Sequence, residues 1–437
     1  MEPDWNAAHL GMYPIVWPQQ GDEWLHRFGI AVNEVSPGVV VSGTKYDSTT
    51  GPFIEISLTI DGIPSESHVL VGPTQDGAAV LIAGPGEPEA SVAEQIARSA
   101  RLATEGLGDI GAEHEWTAIV GHSADRIGGM EKRLTAPGQV GPLAIASSGV
   151  AFVSPGREQP SMSGWSVHRS TPMIVSGRSR GYSWQAASLT AARELRTLCG
   201  LLSVAWDCDL EVLEGAAPLE WGARRVPDRP PWYAEPSGLV EPAPEEAPGD
   251  PVAVPEWMDG AWRRVAASAQ LTAAVDAYLE GSYAAQRHPS LAVVAYTSSV
   301  ETIADLLYKG PRCTECGGST GIARAFRATI REVLDEAEAA QLDTVYKARS
   351  KTVHAGRLHG GETLPGVFHV GFWSNRETQD FRWRVLWSLK RAARLVLQRS
   401  ITADLPTRVP LPGPLKASIT ADLPTRVPLP GPLKAGS

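Results

Sequence analysis

The chain has 437 residues with 39 basic and 49 acidic side chains, a net charge of −10, and at roughly 100–200 residues per domain it holds two or three domains. Its 43% hydrophobic and 20% charged content excludes a largely disordered chain, and its 43 glycines and 35 prolines follow no Gly-X-Y period, which excludes collagen. Taken over the whole chain, the surplus of acid argues against a nucleic-acid partner.

The opening residues, Met1-Glu2-Pro3-Asp4-Trp5, carry neither the basic nor the apolar region of a signal peptide. No apolar run approaches the roughly 18 residues of a membrane span, and four cysteines do not make a disulfide scaffold. The expectation is a soluble, cytoplasmic protein with no membrane partner.

Strand signals dominate the first ~180 residues. Residues 38–42, 53–60, 79–82, 116–120 and 149–153 are short, β-branched or alternating, and several are bounded by Gly, Pro or Asp. The second puts Ile54, Ile56, Leu58 and Ile60 on one face and Phe53, Glu55, Ser57 and Thr59 on the other. One helix interrupts, from Ser91 to Gly106, with Ser91 as the expected cap and Glu94 at the third position.

Gly177-Arg178-Ser179-Arg180-Gly181 matches the nucleophile-elbow string G-x-S-x-G, preceded by strand-like 173–175 and followed by a helix. No βαβ alternation precedes it and no Asp and His pair follows at a convincing spacing. A Gly/Ser-rich loop between strand and helix is the plainer reading.

From Ser183 to about Ala205 the period becomes helical, with Leu189, Leu195, Leu198, Leu201 and Leu202 as the apolar stripe. Residues 226–255 then hold nine prolines and six acids, a composition that reads as a stiff, extended linker. Beyond Trp257 the chain is helical almost throughout. Val293, Tyr296, Val300, Ile303 and Leu307 follow a 3, 4, 3, 4 spacing. Thr320–Ala340, Leu342–Ala355 and Thr378–Arg399 are further expected helices, making a four- or five-helix bundle of about 140 residues.

The expected fold class is therefore α+β and multidomain. A β-rich N-terminal domain spans 1–182, and a helical extension over 183–225 packs on it. The linker covers 226–255, an all-α bundle 256–399, and a tail 400–437. That tail is an exact repeat: 400–417 and 418–435 are the same string, SITADLPTRVPLPGPLKA, with four prolines per copy. Two copies are too few for a solenoid. The tail is read as disordered and polyproline-like, or as a bivalent docking peptide for a partner with an aromatic-lined groove.

The most specific chemistry lies at Tyr346-Lys347-Ala348-Arg349-Ser350-Lys351-Thr352-Val353-His354-Ala355-Gly356. Histidine titrates near neutrality and can move a 2′-OH proton. Arginine can fork two donors onto a phosphate. Positions 349 and 354 lie roughly 140° apart around an ideal helix, so the two side chains diverge unless the helix loosens near His354, which Gly356 favours.

An Arg, four residues and a His near the end of an amphipathic helix resemble the R-x(4–6)-H motif of HEPN domains, and the "R-S-K-x-V-H" run is similar to the ApeA-like branch. The resemblance covers about residues 260–398. It takes in the upstream helix with Glu301 and Asp305, the Cys313–Gly318 stretch, and Arg324-Ala-Phe-Arg327. Ser350 stands where the commoner pattern has Asn, Asp or His. The resemblance implies a homodimeric, metal-independent endoribonuclease that needs no cofactor and leaves 2′,3′-cyclic phosphate ends. Such proteins often act in antiviral defence or as toxins, here gated by the N-terminal domain. It assigns catalysis to Arg349 and His354 and RNA binding to Lys347 and Lys351, with Glu301, Tyr346 and Ser350 in support. The alternative is an inactive HEPN dimer that binds a ligand or protein.

Local charge agrees with an RNA partner. From Lys309 to Arg357 nine basic residues face six acidic ones, net +3, and from Arg376 to Arg399 seven face two, net +5. For most of Arg382, Arg384, Arg391 and Arg394 a solvated helix face is the better reading. Cys313 and Cys316 resemble half a zinc site, for which His288 and His359 are candidate further ligands. A reduced structural turn or a redox pair fits the same spacing, and no metal is assigned.

Overall fold

The computed structural model describes residues 6–17, 19–36, 39–47, 53–60, 62–74, 76–85, 89–109, 111–122, 132–155, 167–222, 239–242, 250–285, 288–309, 321–355, 385–403 and 409–410. The Cys313/Cys316 pair, His359, Arg382, Arg384 and the second tail copy lie outside them, as do the side chains of Lys347, Ser350, Lys351 and His354. The described chain is mixed α and β and forms two compact units, Met1–Gly111 and Ala112–Ser437.

The first unit is a five-stranded antiparallel sheet with two helices. In chain order it runs β1 (Asn6–Tyr13), α1 (Gly21–Val35), β2 (Val39–Asp47), β3 (Phe53–Ile60), β4 (Ile63–Thr74), β5 (Gly77–Gly84) and α2 (Ala90–Glu105). The strand order is β1-β5-β4-β3-β2. Alternation sets which face is buried. Ile56 and Leu58 of β3 meet Trp24, Phe28 and Val32 of α1 and Ile96 and Ala100 of α2 in one core. Trp24 stacks on Phe28 at 5.3 Å and donates its indole N–H to Thr104 Oγ1 at 2.8 Å, so its one polar atom is satisfied in the core. The cap of α2 falls on Glu89, not Ser91. The Ser91 hydroxyl instead donates to the Glu89 carboxylate at 2.8 Å.

The second unit begins with strands β6 (Ala112–Gly121), β7 (Lys132–Leu134), β8 (Gly138–Val140), β9 (Leu143–Ser147), β10 (Val150–Pro155), β11 (Val167–Ser170) and β12 (Met173–Gly181). Then come α3 (Trp184–Trp206), β13 (Glu211–Pro218), β14 (Leu239–Pro242) and β15 (Asp250–Val252). Its main sheet has the order β13-β6-β12-β9-β8. Six longer helices follow: α4 (Met258–Ala266), α5 (Ala269–Ala284), α6 (Pro289–Leu307), α7 (Ile322–Arg331), α8 (Glu336–Ala355) and α9 (Trp387–Thr402). Two two-residue strands, β16 (Tyr308–Lys309) and β17 (Val409–Pro410), pair in parallel.

Sheet and helices share one hydrophobic core, so the compact units divide at 111/112, where the sequence placed the first boundary at 182. Trp116 and Val175 of the sheet, Leu195 and Leu198 of α3, and Val275, Leu279 and Tyr296 of the bundle belong to one buried cluster. The helix over 184–206 is thus a central layer with an apolar surface on both sides. That is why Leu195, Leu198, Leu201 and Leu202 are all fully buried, whereas Leu189, one turn from its start, is 62% exposed. Gly200 lets α3 close on α5: a Cβ there would sit 2.4 Å from Val275 Cγ1. Arg196 tightens the same crossing through Asp276 Oδ1 at 2.6 Å and Glu280 Oε1 at 2.7 Å.

Three further expectations are corrected by these elements. The G-x-S-x-G string lies inside β12, in register with β6 from Gly177↔Trp116 to Gly181↔Ala112. It is neither an elbow nor a loop. Ser179 is 2% exposed, accepts the Trp116 indole N–H at 2.9 Å and donates to Glu194 Oε2 at 2.8 Å. Burial raises the Glu194 carboxyl above its ordinary value, and the serine hydrogen bond opposes that. The hydroxyl is thus occupied in the core, unlike the exposed nucleophile that an elbow presents.

The described parts of the 226–255 segment include two strands: β14 pairs with β10 and β15 with β7. Lys132 Nζ donates to Asp250 Oδ2 at 2.7 Å, and Trp206 Nε1 to the Ala253 carbonyl at 3.1 Å. Short edge strands accept proline because its missing N–H can face outward. The expected helix over 320–340 splits between Arg331 and Glu336, where Asp335 Oδ1 accepts the Glu338 N–H at 2.8 Å and caps α8.

Helix α6 is long and apolar enough to cross a membrane by length and composition, at a mean hydropathy of 1.2, although no run of that kind was expected. In the fold Val293, Tyr296, Val300 and Ile303 are fully buried in the bundle, as their spacing required. The first tail copy is also partly structural. Ser400, Ile401 and Thr402 form the last turn of α9, and Ile401 is fully buried.

Candidate active site

Three helices build the site around the R-x4-H motif. Within α8, Leu342 and Val345 turn to the core and are fully buried. Tyr346 and Arg349, three residues apart, share the neighbouring face. The face opposite them belongs to α6, where Glu301 follows the core residue Val300. Arg349 Nη2 donates to Glu301 Oε2 at 3.1 Å, with the two side chains 22% and 13% exposed. The guanidinium also lies over the Tyr346 ring, 5.9 Å from its centroid. The other side of Tyr346 meets Phe326 of α7, ring centroids 5.6 Å apart.

Electrostatics follow from this burial. The Tyr346 hydroxyl is pushed up to about 12, first by desolvation and next by the Glu301 charge, with Arg349 and Arg327 opposing. Tyr346 therefore stays protonated across the neutral range. Glu301 Oε1 and Arg349 Nε are both buried, and neither makes a hydrogen bond among the described residues. The ion pair thus uses one edge of the guanidinium and leaves Nε over. A phosphate oxygen is an acceptor of the type that nitrogen lacks.

The structure brings together Arg349, Glu301 and Tyr346 of the expected set. His354 falls within α8, which runs to Ala355 without a break. The helix shows no loosening up to Ala355, and Gly356, the residue expected to favour it, lies outside the described residues. Positions 349 and 354 accordingly stay about 140° apart around one helix.

Phe326 and Arg327 are site residues that the motif alone did not single out. The signal was present as Arg324, Arg327 and Arg331 at helical spacing, but only the packing of α7 on α8 gives it meaning. Among the described residues no cluster of His, Cys, Asp and Glu is arranged to hold a metal ion. Cys199 and Cys208 are buried free thiols.

Besides Arg349, six cations of the two segments have acidic partners among the described residues. Arg327 pairs with Asp343 at 3.0 Å, Arg331 with Glu336 at 3.1 Å, and Arg399 with Glu332 at 3.0 Å. Arg391 pairs with Glu338. Lys390 reaches both oxygens of Asp209 at 2.7 Å, and Arg394 Nε lies 3.0 Å from Asp207 Oδ1. Arg394 is 16% exposed in its side chain, so it belongs to the α3–α9 junction and not to a solvated face. Four of these acids, Glu332, Glu336, Glu338 and Asp343, are already counted in the net +3, so the pairs fix where charge lies without lowering that sum.

No family model, no curated protein and no solved structure matches this chain.

Proposed function

We propose that the chain is a metal-independent endoribonuclease of HEPN type, working as a homodimer and gated by its N-terminal unit, in the manner of a defence or toxin effector. The observation that carries this reading is Arg349. It is held on one edge by Glu301 and over the Tyr346 ring, and among the described residues its Nε makes no hydrogen bond. A guanidinium fixed in this way needs little reorganisation to receive a phosphate.

In the proposed reaction His354 takes the proton of a ribose 2′-OH. The 2′ oxygen then attacks phosphorus, the bond from phosphorus to the 5′ oxygen breaks, and Arg349 bears the negative charge gathering on the non-bridging oxygens. The leaving 5′ oxygen receives a proton from solvent water, and the imidazolium formed at His354 returns its proton to solvent. The products are a 2′,3′-cyclic phosphate and a 5′-OH. The unbroken helix through position 354 supports a site assembled from two protomers, in which the arginine of one works with the histidine of the other. Lys347 and Lys351 hold the flanking backbone, and Ser350 supports the arginine turn.

The test is RNA cleavage in EDTA by wild type, Arg349→Ala and His354→Ala, with the 5′ fragment checked for a cyclic phosphate. Wild type is expected to cut and each variant to be inactive. Mixing the two inactive variants is expected to restore part of the activity, because one of the two composite sites in a mixed dimer is intact. Equal cleavage by all three proteins, or none by wild type, removes the reading.

A further inference from the structure

Helix α7 presents Arg324, Arg327 and Arg331 along one face, at spacings of three and four. Two of them are matched by acids of α8: Arg331 by Glu336 and Arg327 by Asp343. The matches run antiparallel, since α7 is read backward as α8 is read forward. One more turn along that ladder sets Arg324 opposite the stretch 346–350, the turn that carries Arg349. The Phe326 and Tyr346 rings, 5.6 Å apart, fix this register.

The supply of acid stops at that point. After Asp343, α8 has no Asp or Glu up to its end at Ala355. Arg324 has a buried Nε without a hydrogen bond and, among the described residues, no ion pair. It also sits third from the start of α7, in a first turn that holds no acid. The positive end of a helix dipole is an unfavourable place for a cation. A buried donor without an acceptor adds to that cost. Neither feature helps the fold, whereas both are relieved by an anion. Arg349 in the facing turn has the same unfilled Nε. Two guanidinium groups on helices in contact, each with an Nε that makes no hydrogen bond among the described residues, suit two phosphates of one strand.

We propose that Arg324 is a substrate-binding residue that takes an RNA backbone phosphate beside the one held by Arg349. The inference rests on the ribonuclease reading and names the part of the substrate that reading leaves open. Arg324 is not needed for proton transfer. It sets where the strand lies, so its loss weakens binding before it affects the chemical step.

The experiment measures binding of a short, labelled 2′-O-methyl RNA, which cannot form a cyclic phosphate, to the full chain by fluorescence anisotropy across a salt series. Arg324→Ala is expected to weaken binding about tenfold, as for loss of one charge-assisted hydrogen bond. It should also lower the slope of log affinity against log salt by about 0.7, one single-strand phosphate contact. Arg324→Lys should keep the slope and recover part of the affinity. The melting temperature of Arg324→Ala should equal or exceed that of wild type. A structural role would lower it. If wild type binds and cleaves RNA while Arg324→Ala matches it in affinity and slope, this inference is wrong and the ribonuclease reading stands. If wild type neither binds nor cleaves RNA, both fall.

Discussion

Arg349 and Glu301 are 48 residues apart in sequence, yet the guanidinium Nη2 of one lies 3.1 Å from the carboxylate Oε2 of the other. The pair joins α8 to α6 and fixes the one feature of the motif that a bare string cannot specify, the direction in which the arginine presents its remaining donors. The neighbours of the pair are as important as the pair. Tyr346 lies under the guanidinium, and Phe326 supports Tyr346 from α7.

The Tyr346 hydroxyl gives this cluster an alkaline signature. In the unfolded chain a tyrosine titrates near 10; here burial, then Glu301, push it up to about 12. The folded state holds the proton more tightly, so the contribution to stability is intact below pH 10 and is lost as pH rises toward 12. Urea midpoints at about pH 9 and about pH 11 should show a smaller loss in Tyr346→Phe than in wild type. Tyr13, Tyr278 and Tyr308 are raised as well, so the readout is the difference between the two proteins. Parallel pH curves would refute the assignment. Glu301→Gln should also narrow the loss, because the carboxylate charge is the second cause of the shift.

Lys390 and Asp209 make a buried pair at the junction of α9 with the α3–β13 turn. Lys390 is 8% exposed and reaches both carboxylate oxygens at 2.7 Å. Asp209→Ala strands a buried ammonium and is expected to cost about 3–5 kcal/mol by chemical denaturation. Adding Lys390→Met to that variant should recover most of the loss, because the uncompensated charge goes with it. A double variant no more stable than the single one would show that the charge is not the cause.

Ile401 tests the role of the duplicated tail. It is fully buried in the last turn of α9, and its carbonyl accepts Arg264 Nη1 at 3.0 Å. Ile401→Ala is expected to cost about 2–5 kcal/mol in thermal or urea unfolding. The intact second copy, with Ile419 in the same string, should not rescue it, because the buried turn is covalently continuous with α9. Stability equal to wild type would show that the copies exchange.

Strong local patterns were readable along the chain. The alternation over 53–60 located β3 and its buried residues Ile56 and Leu58. The 3, 4, 3, 4 spacing over 293–307 located α6, and four of its five positions, Val293, Tyr296, Val300 and Ile303, are fully buried. Both signals arise because a periodic backbone must bury one face. Other features were not readable, because they depend on partners far away in sequence. The string around Ser179 looks like a loop until β6 supplies Trp116 as its neighbour. The proline-rich stretch before 255 looks like a free linker until β7 offers an edge for β15.

The sequence by itself determined the strongly periodic elements, the R-x4-H motif at Arg349 and His354, and the acidic total of −10. Segment counts turned that total into local surpluses of +3 and +5, and only the tertiary structure decided what became of them. Folding places an acid beside Arg327, Arg331, Lys390, Arg391, Arg394 and Arg399. Which cations are paired, and with which acids, is therefore not given by counting residues. The physical reason is range. Periodicity is set by neighbours three or four positions away, whereas neutralisation and donor geometry are set by groups that only packing brings within a few ångströms. Arg349 illustrates both halves: the motif names it, and Glu301, Tyr346 and Phe326 decide what it can hold.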